Sequence, residues 1–160
     1  MSEPFALPAE ASAKLRLWRA VNAKIVFTNG VYDLLHRGHV EYLEEAHALG
    51  DRLVVGMNTD ASVRRLKGPS RPIMAEDDRA TVIRALSCVD LVILFDDDTP
   101  LRLIETVQPD VLVKGADYAV ADIVGRDVVE AKGGLVTTIA LREGLSSSEI
   151  VRRIREGKGV

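Results

Sequence analysis

The sequence predicts a doubly wound, Rossmann-like α/β fold, a five-stranded parallel sheet with helices on both faces. Three observations carry this expectation. Five short, nearly unbroken apolar runs recur along the chain, as strands buried on both faces require. Segments with helical spacing separate them, so every crossover has a helix to make it. Polar residues gather just after three of the runs, where an open parallel sheet binds its ligands.

The elements follow in order. PAEASAKLRLWRAVN offers Leu15, Leu17, Trp18 and Val21 to one broad apolar helical face. KIVFT (24–28) is a buried strand. Val40, Leu43, Ala46 and Leu49 predict a helix over 38–49, with Gly50 as its stop. RLVVGMN (52–58) is the second strand. RRLKGPSRPIM (64–74) is basic and turn-rich, with Arg64 and Arg65 on a solvated helix face. Residues 75–89 begin with acids and continue apolar-periodic, as a helix favoured by its dipole does. DLVILF (90–95) is the third strand. In 98–107, Thr99 is the expected N-cap and Pro100 the first helical residue. DVLVKG (110–115) is the fourth strand, VGRDVVEAKGG a short helix ended by two glycines, and LVTTIAL (135–141) the fifth strand. The closing helix, 146–156, opens with Ser146 and Glu149 at capping-box spacing.

The 160 residues suit a single domain, with a core over 24–156 and a helical extension over 1–23. Trp18 on that extension serves either a homodimer interface or packing on the sheet. A net charge of −3 excludes wholesale coating of nucleic acid or an anionic membrane. The lone Cys88 excludes an intrachain disulfide and is expected as a buried structural thiol. No run approaches the ~20 apolar residues of a membrane span. The N-terminus lacks a basic start followed by an apolar stretch. A cytoplasmic protein without nucleic-acid or membrane partners is expected.

The chemistry concentrates in TNGVYDLLHRGH (28–39). Neither the Walker G-x-x-x-x-G-K-[ST] loop nor G-x-G-x-x-G occurs. Gly30 and Gly38 instead allow close backbone approach at a strand-to-helix turn. The helix start there offers free N–H groups to a phosphate. Two of the chain's three histidines, His36 and His39, stand at that turn. Imidazolium groups donate to phosphate oxygens and offset charge developing in a transition state. Such a set needs no protein nucleophile and suits attack by one substrate's phosphate on another's. Capping of the helix by the two histidines is the plain alternative. A metal site lacks a third ligand, since His47 lies two turns along.

The stretch TNGVYDLLHRGHVEYLEEA resembles the signature of the HIGH-type nucleotidyltransferase superfamily. Its cytidylyltransferase-like branch carries G-x-[FY]-D-x-x-H-x-G-H, matched by Gly30, Tyr32, Asp33, His36, Gly38 and His39. VVGMNTDASVRRLKGPSRPIM, DVLVKGADY and GLSSSEIV are similar to the adenylyltransferases that form ADP-heptose, over residues 24–155. The resemblance implies an enzyme moving AMP from ATP to a heptose 1-phosphate for lipopolysaccharide synthesis. Mg²⁺ is implied as the cofactor accompanying ATP. With no room for a kinase domain, a stand-alone form is expected.

The resemblance also implies roles. His36, His39 and Lys67, the last on a mobile loop, are catalytic. Thr28, Asn29, Gly30, Gly38, Lys114, Gly115, Asp117, Ser146, Ser147 and Ser148 bind the nucleotide together with the histidines. Asp33, Asn58, Asp60, Lys67 and Arg71 bind the acceptor, a sugar 1-phosphate. Arg79 is left open between ion-pair partner and phosphate ligand. Ala116 replaces a glycine usual after Lys114-Gly115, and Arg142 is displaced by one from the arginine of the CTP-using relatives. The alternatives are a cytidylyltransferase acting on glycerol 3-phosphate, and a nucleotide-binding module without turnover.

Overall fold

A computed structural model describes residues 3–159 of the chain. Among them, α1 spans Ala9–Ala20, β1 Ile25–Gly30, α2 Arg37–His47, β2 Arg52–Asn58 and α3 Asp60–Lys67. Next come α4 (Glu76–Arg84), β3 (Leu91–Phe95), α5 (Leu101–Val107), β4 (Val111–Gly115) and a 3₁₀ turn at Val120–Asp122. Helix α6 (Arg126–Glu130), β5 (Leu135–Ile139) and α7 (Ser147–Arg155) complete the order. The strands pair in parallel in the order β3-β2-β1-β4-β5. The order reverses between β1 and β4, which creates a crevice at their carboxyl ends.

Strand alternation splits the core in two. Ile25, Phe27, Val54, Ile93 and Leu112 pack on one face with residues of α1, α5 and α6. Val26, Leu53, Val55, Val92 and Val113 pack on the other with Leu43, Ala46, Ala80 and Ile83 of α2 and α4. Both faces are therefore covered, as the continuous apolar runs anticipate. Cys88 is buried in the second cluster, as expected.

Several expectations are corrected in detail. On α1 the stripe is Ala11, Leu15 and Trp18, while Leu17 and Val21 are 63% and 67% exposed. Spacing of four and then three residues selects that stripe over the broader one. Trp18 is thus spent on packing against the sheet.

Helix α3 lies across a segment expected to be turn-rich from residue 64. The Thr59 hydroxyl accepts from the Ser62 N–H at 3.2 Å, and Ser62 and Val63 are buried beneath it. Lys67 consequently sits on the last turn of a helix. Pro100 holds the cap position of α5, one residue later than expected, and its carbonyl accepts from the Ile104 N–H. At α7 the Ser146 hydroxyl accepts from the Glu149 N–H at 3.1 Å, but the Glu149 side chain pairs with Arg152, so only half of the capping box forms.

Gly50 lies beyond the end of α2. A Cβ there would stand 2.7 Å from the Lys24 carbonyl oxygen, so the missing side chain lets the loop pass β1. The Arg71–Pro72 peptide is cis.

Candidate active site

The carboxyl ends of the strands enclose a cleft of about 620 Å³. Asn29, Gly30, His36, Gly38 and His39 form its centre, after β1. Asn58 and Lys67 line the β2 side, and Lys114, Gly115, Asp117 and Ser146–Ser148 line the side of β4 and α7. These thirteen expected residues come together. Thr28, Asp33, Asp60 and Arg71 do not line the cleft.

Each of those four has another task. The Thr28 hydroxyl is fully buried and bonds the Tyr42 hydroxyl at 2.8 Å, so it has no phosphate to meet. Asp33 is buried. Its carboxylate accepts from the Ile73 N–H (2.8 Å), the Met74 N–H (3.0 Å) and Arg71 Nη1 (2.8 Å). Arg71 Nη2 continues to the Ser148 hydroxyl at 3.2 Å, and the Ser147 hydroxyl donates to the Asp33 carbonyl. Asp33 and Arg71 thus tie the segment after α3 to the start of α7. Tyr32 and Leu34, either side of Asp33, adopt left-handed backbone angles of +52° and +57°. Non-glycine residues rarely hold such angles unless their surroundings impose them.

Asp60 pairs with Arg79, Oδ1 to Nη2, at 2.7 Å. Arg79 is 1% exposed and also donates to the carbonyls of Val31 (2.6 Å) and Met74 (3.0 Å). That answers the open question about Arg79. It is an ion-pair partner and organiser, with its guanidinium bound to protein on all three nitrogens.

The histidine pair sits at the start of α2. The rings stack with centroids 3.8 Å apart and planes at 24°. A Cβ on residue 38 would stand 3.0 Å from the His36 ring, so Gly38 makes room for that stack. The His36 N–H donates to His39 Nδ1 at 3.3 Å. In the neutral ring the proton then belongs on Nε2, which becomes a donor. His36 Nδ1 and Asn29 Oδ1 are the buried side-chain polar atoms without a partner among the described residues. Orphaned atoms of this kind at a cleft mark a place where a ligand completes the bonding.

Burial, the neighbouring His36 and the charge of Lys67 push His39 down from 6.5 to about 4. Burial also lowers His36. Without a ligand, both rings are therefore neutral at pH 7. Burial, followed by the charge of Arg71, lowers Lys67, while Asp33 opposes this. Burial lowers Lys114, opposed by Asp117, and its ammonium lies 5.0 Å from the Tyr118 ring centre. Four partly desolvated nitrogen bases thus line the cleft. A polyphosphate would restore the charge that burial has suppressed.

A Cβ on residue 115 would stand 2.7 Å from Asp117 Oδ1 and 2.9 Å from Leu141 Cδ1, so a side chain there would require those two to shift. Ala116 has no left-handed backbone angle and donates its N–H to Ile139 at 2.8 Å, so alanine is accommodated without strain. Arg142, at the rim, pairs with Glu41 at 2.9 Å. No three metal-ligating side chains converge among the described residues. Sequence reasoning missed Tyr42, Asp98 and Thr99 as lining residues. For Asp98 and Thr99 the available signal was their position just after the third apolar run.

A family model described as Cytidylyltransferase-like matches residues 27–153. The chain is 60% identical over 131 residues to the bifunctional protein HldE of Citrifermentans bemidjiense, covering 82% of this chain and 27% of that protein. It is 54% identical over 157 residues to the bifunctional protein HldE of Magnetococcus marinus, covering 98% and 32%. The chain spans less than a third of the length of these two relatives. Among solved structures, it is similar to the lipopolysaccharide core biosynthesis protein from Thermoplasma volcanium GSS1. That match has a TM-score of 0.62 and 32% identity, and covers 75% of this chain and 97% of the other.

Proposed function

The chain belongs to the cytidylyltransferase-like family, and from that premise we propose that it transfers AMP from MgATP to D-glycero-β-D-manno-heptose 1-phosphate. An oxygen of the acceptor phosphate attacks the α-phosphorus in line. The bond from that phosphorus to the bridging oxygen breaks, and its electron pair leaves with pyrophosphate. ADP-heptose is the product, a precursor for lipopolysaccharide core synthesis. The stacked pair His36–His39, between Lys67 on one side and Lys114 with Ser146–Ser148 on the other, carries the reading.

We assign the halves of the cleft by the groups that line them. The nucleotide lies over β4 and α7, where Lys114 and the Ser146–Ser148 turn offer cations, hydroxyls and helix N–H groups. The acceptor lies over β2 beside Asn58. The α-phosphorus falls between them, above β1. There His36, His39 and Lys67 donate to its equatorial oxygens. Mg²⁺ enters with the triphosphate as part of the substrate. Similarity to the HldE proteins and to the lipopolysaccharide core biosynthesis protein supports the sugar acceptor.

The test pairs ATP and CTP with heptose 1-phosphate and glycerol 3-phosphate, in the presence of Mg²⁺, and measures pyrophosphate. Release only with ATP and the heptose is expected. Release only with CTP and glycerol 3-phosphate favours the cytidylyltransferase alternative, which the family's description keeps in view. ATP binding without release in any combination would leave a binding module.

Binding should also move protons. The free protein holds His39 at about 4, and the triphosphate charge raises it. The complex then carries more protons than its parts, and affinity rises as pH falls through the neutral range. Calorimetry of ATP binding at pH 7, in two buffers of unequal ionisation heat, should show net proton uptake. Zero uptake would mean that the imidazoles stay neutral against the phosphates.

A further inference from the structure

The acceptor half of the cleft contains a feature without a role so far. The turn between β3 and α5 brings Asp98 and Thr99 to the wall opposite α7, beside Asn58 and Phe95. The two walls differ in chemistry. On the side of β4 and α7 stand Lys114, Arg142 and three serines, with Asp117 and Asp122 among them. Beyond Lys67, the wall formed by β2, β3 and the turn offers the Asp98 carboxylate, the Thr99 hydroxyl and the Asn58 amide. An anionic phosphate is repelled by a carboxylate, whereas vicinal hydroxyls donate to one readily.

The Asp98 side chain is 72% exposed and makes one ion pair. Its Oδ1 accepts from Arg65 Nε at 3.0 Å, and Arg65 also reaches Asp96. Every bond the Asp98 carboxylate makes among the described residues uses Oδ1. Its second oxygen remains for a ligand. Thr99 follows, and Pro100 behind it is buried as the cap of α5. The turn is therefore anchored on both sides. Near β1, the unpartnered Asn29 Oδ1 adds a second acceptor that needs a donor.

We infer that Asp98 and Thr99 form a hydroxyl-reading subsite that sets acceptor specificity, selecting a polyhydroxylated sugar phosphate over a plainer phosphate ester. The inference rests on the proposed transfer. Asp98 accepts hydroxyls of the bound sugar, Thr99 adds a donor and acceptor, and the phosphate points back towards His36, His39 and Lys67. Lost bonds to the sugar then appear in the acceptor's KM and leave the nucleotide's untouched.

The test compares wild type, Asp98→Ala and Thr99→Ala by pyrophosphate release. The acceptors are heptose 1-phosphate and β-D-mannose 1-phosphate, which has the same ring and a tail one carbon shorter. Asp98→Ala should raise the heptose 1-phosphate KM by about tenfold or more, as loss of a charge-assisted hydrogen bond does. The KM for ATP should stay within about twofold, and the preference for heptose over mannose should shrink. Thr99→Ala should act in the same direction by a smaller factor. Asp98→Asn, which keeps shape and an acceptor, should recover part of the loss. An unchanged acceptor KM, an unchanged preference, or an equal rise in the ATP KM overturns the inference while leaving the transfer intact. Wild-type protein without turnover on either sugar phosphate overturns both.

Discussion

His39→Ala is expected to lower kcat about 10²- to 10³-fold while changing ATP affinity far less, the scale seen when one preorganised donor to a developing charge is removed. The cause is local. His39 is stacked on His36 at 3.8 Å, and the His36 N–H holds its Nδ1, so one fixed nitrogen faces the reacting phosphate. Burial keeps the ring neutral until an anion arrives, so its strongest interaction comes when the most charge is present. Single-turnover measurement with saturating ATP separates this from binding. An unchanged rate would remove His39 from the chemistry and reduce the pair to helix capping. His36→Ala should behave alike, and the double variant should lose less than the product of the two, because the rings act as a unit.

Arg79→Met should destabilise the fold by about 3 kcal/mol, near the lower end for breaking a buried ion pair. The guanidinium is fully enclosed and bonds Asp60, the Val31 carbonyl and the Met74 carbonyl. The Asp60 side chain is 23% exposed, so water softens its loss. The two carbonyls gain no replacement donor. Urea denaturation measures the effect, and a change below about 0.5 kcal/mol would contradict the organising role. Arg79→Lys keeps the charge but cannot span three acceptors, so it should recover only part of the stability.

The contrast between these two residues shows what the sequence made legible. The His36–His39 turn is local. Strand, glycines, histidines and helix start follow one another within fifteen residues, and each constrains the next. The strand ends were equally readable, because an apolar run announces its own termination. Asp33 and Arg79 were ambiguous because their partners are remote. The donors to Asp33 come from 38, 40 and 41 residues further along. No local pattern separates a carboxylate that binds substrate from one that binds a backbone loop. Helix α3 was legible only as a helix face at Arg64 and Arg65, because it is short and basic, with Ser62 and Val63 supplying its buried contacts. Asp98 and Thr99 were read only as the approach to a helix, since their cleft-facing position depends on β3 lying at the sheet edge next to β2.

Helix α1 bears on what counts as the smallest self-sufficient piece of this protein. The family match begins at residue 27, and a fragment starting there would retain every lining residue of the cleft before α7. It would lack Ala11, Leu15 and Trp18, which share one apolar cluster with Phe27, Leu103 and Val107. The part of that face which α1 covers would then lie bare to water. The stretch that carries the recognisable signature and the stretch that can stand alone are thus not the same length, and shortened versions for crystallisation or engineering should begin ahead of Ala9.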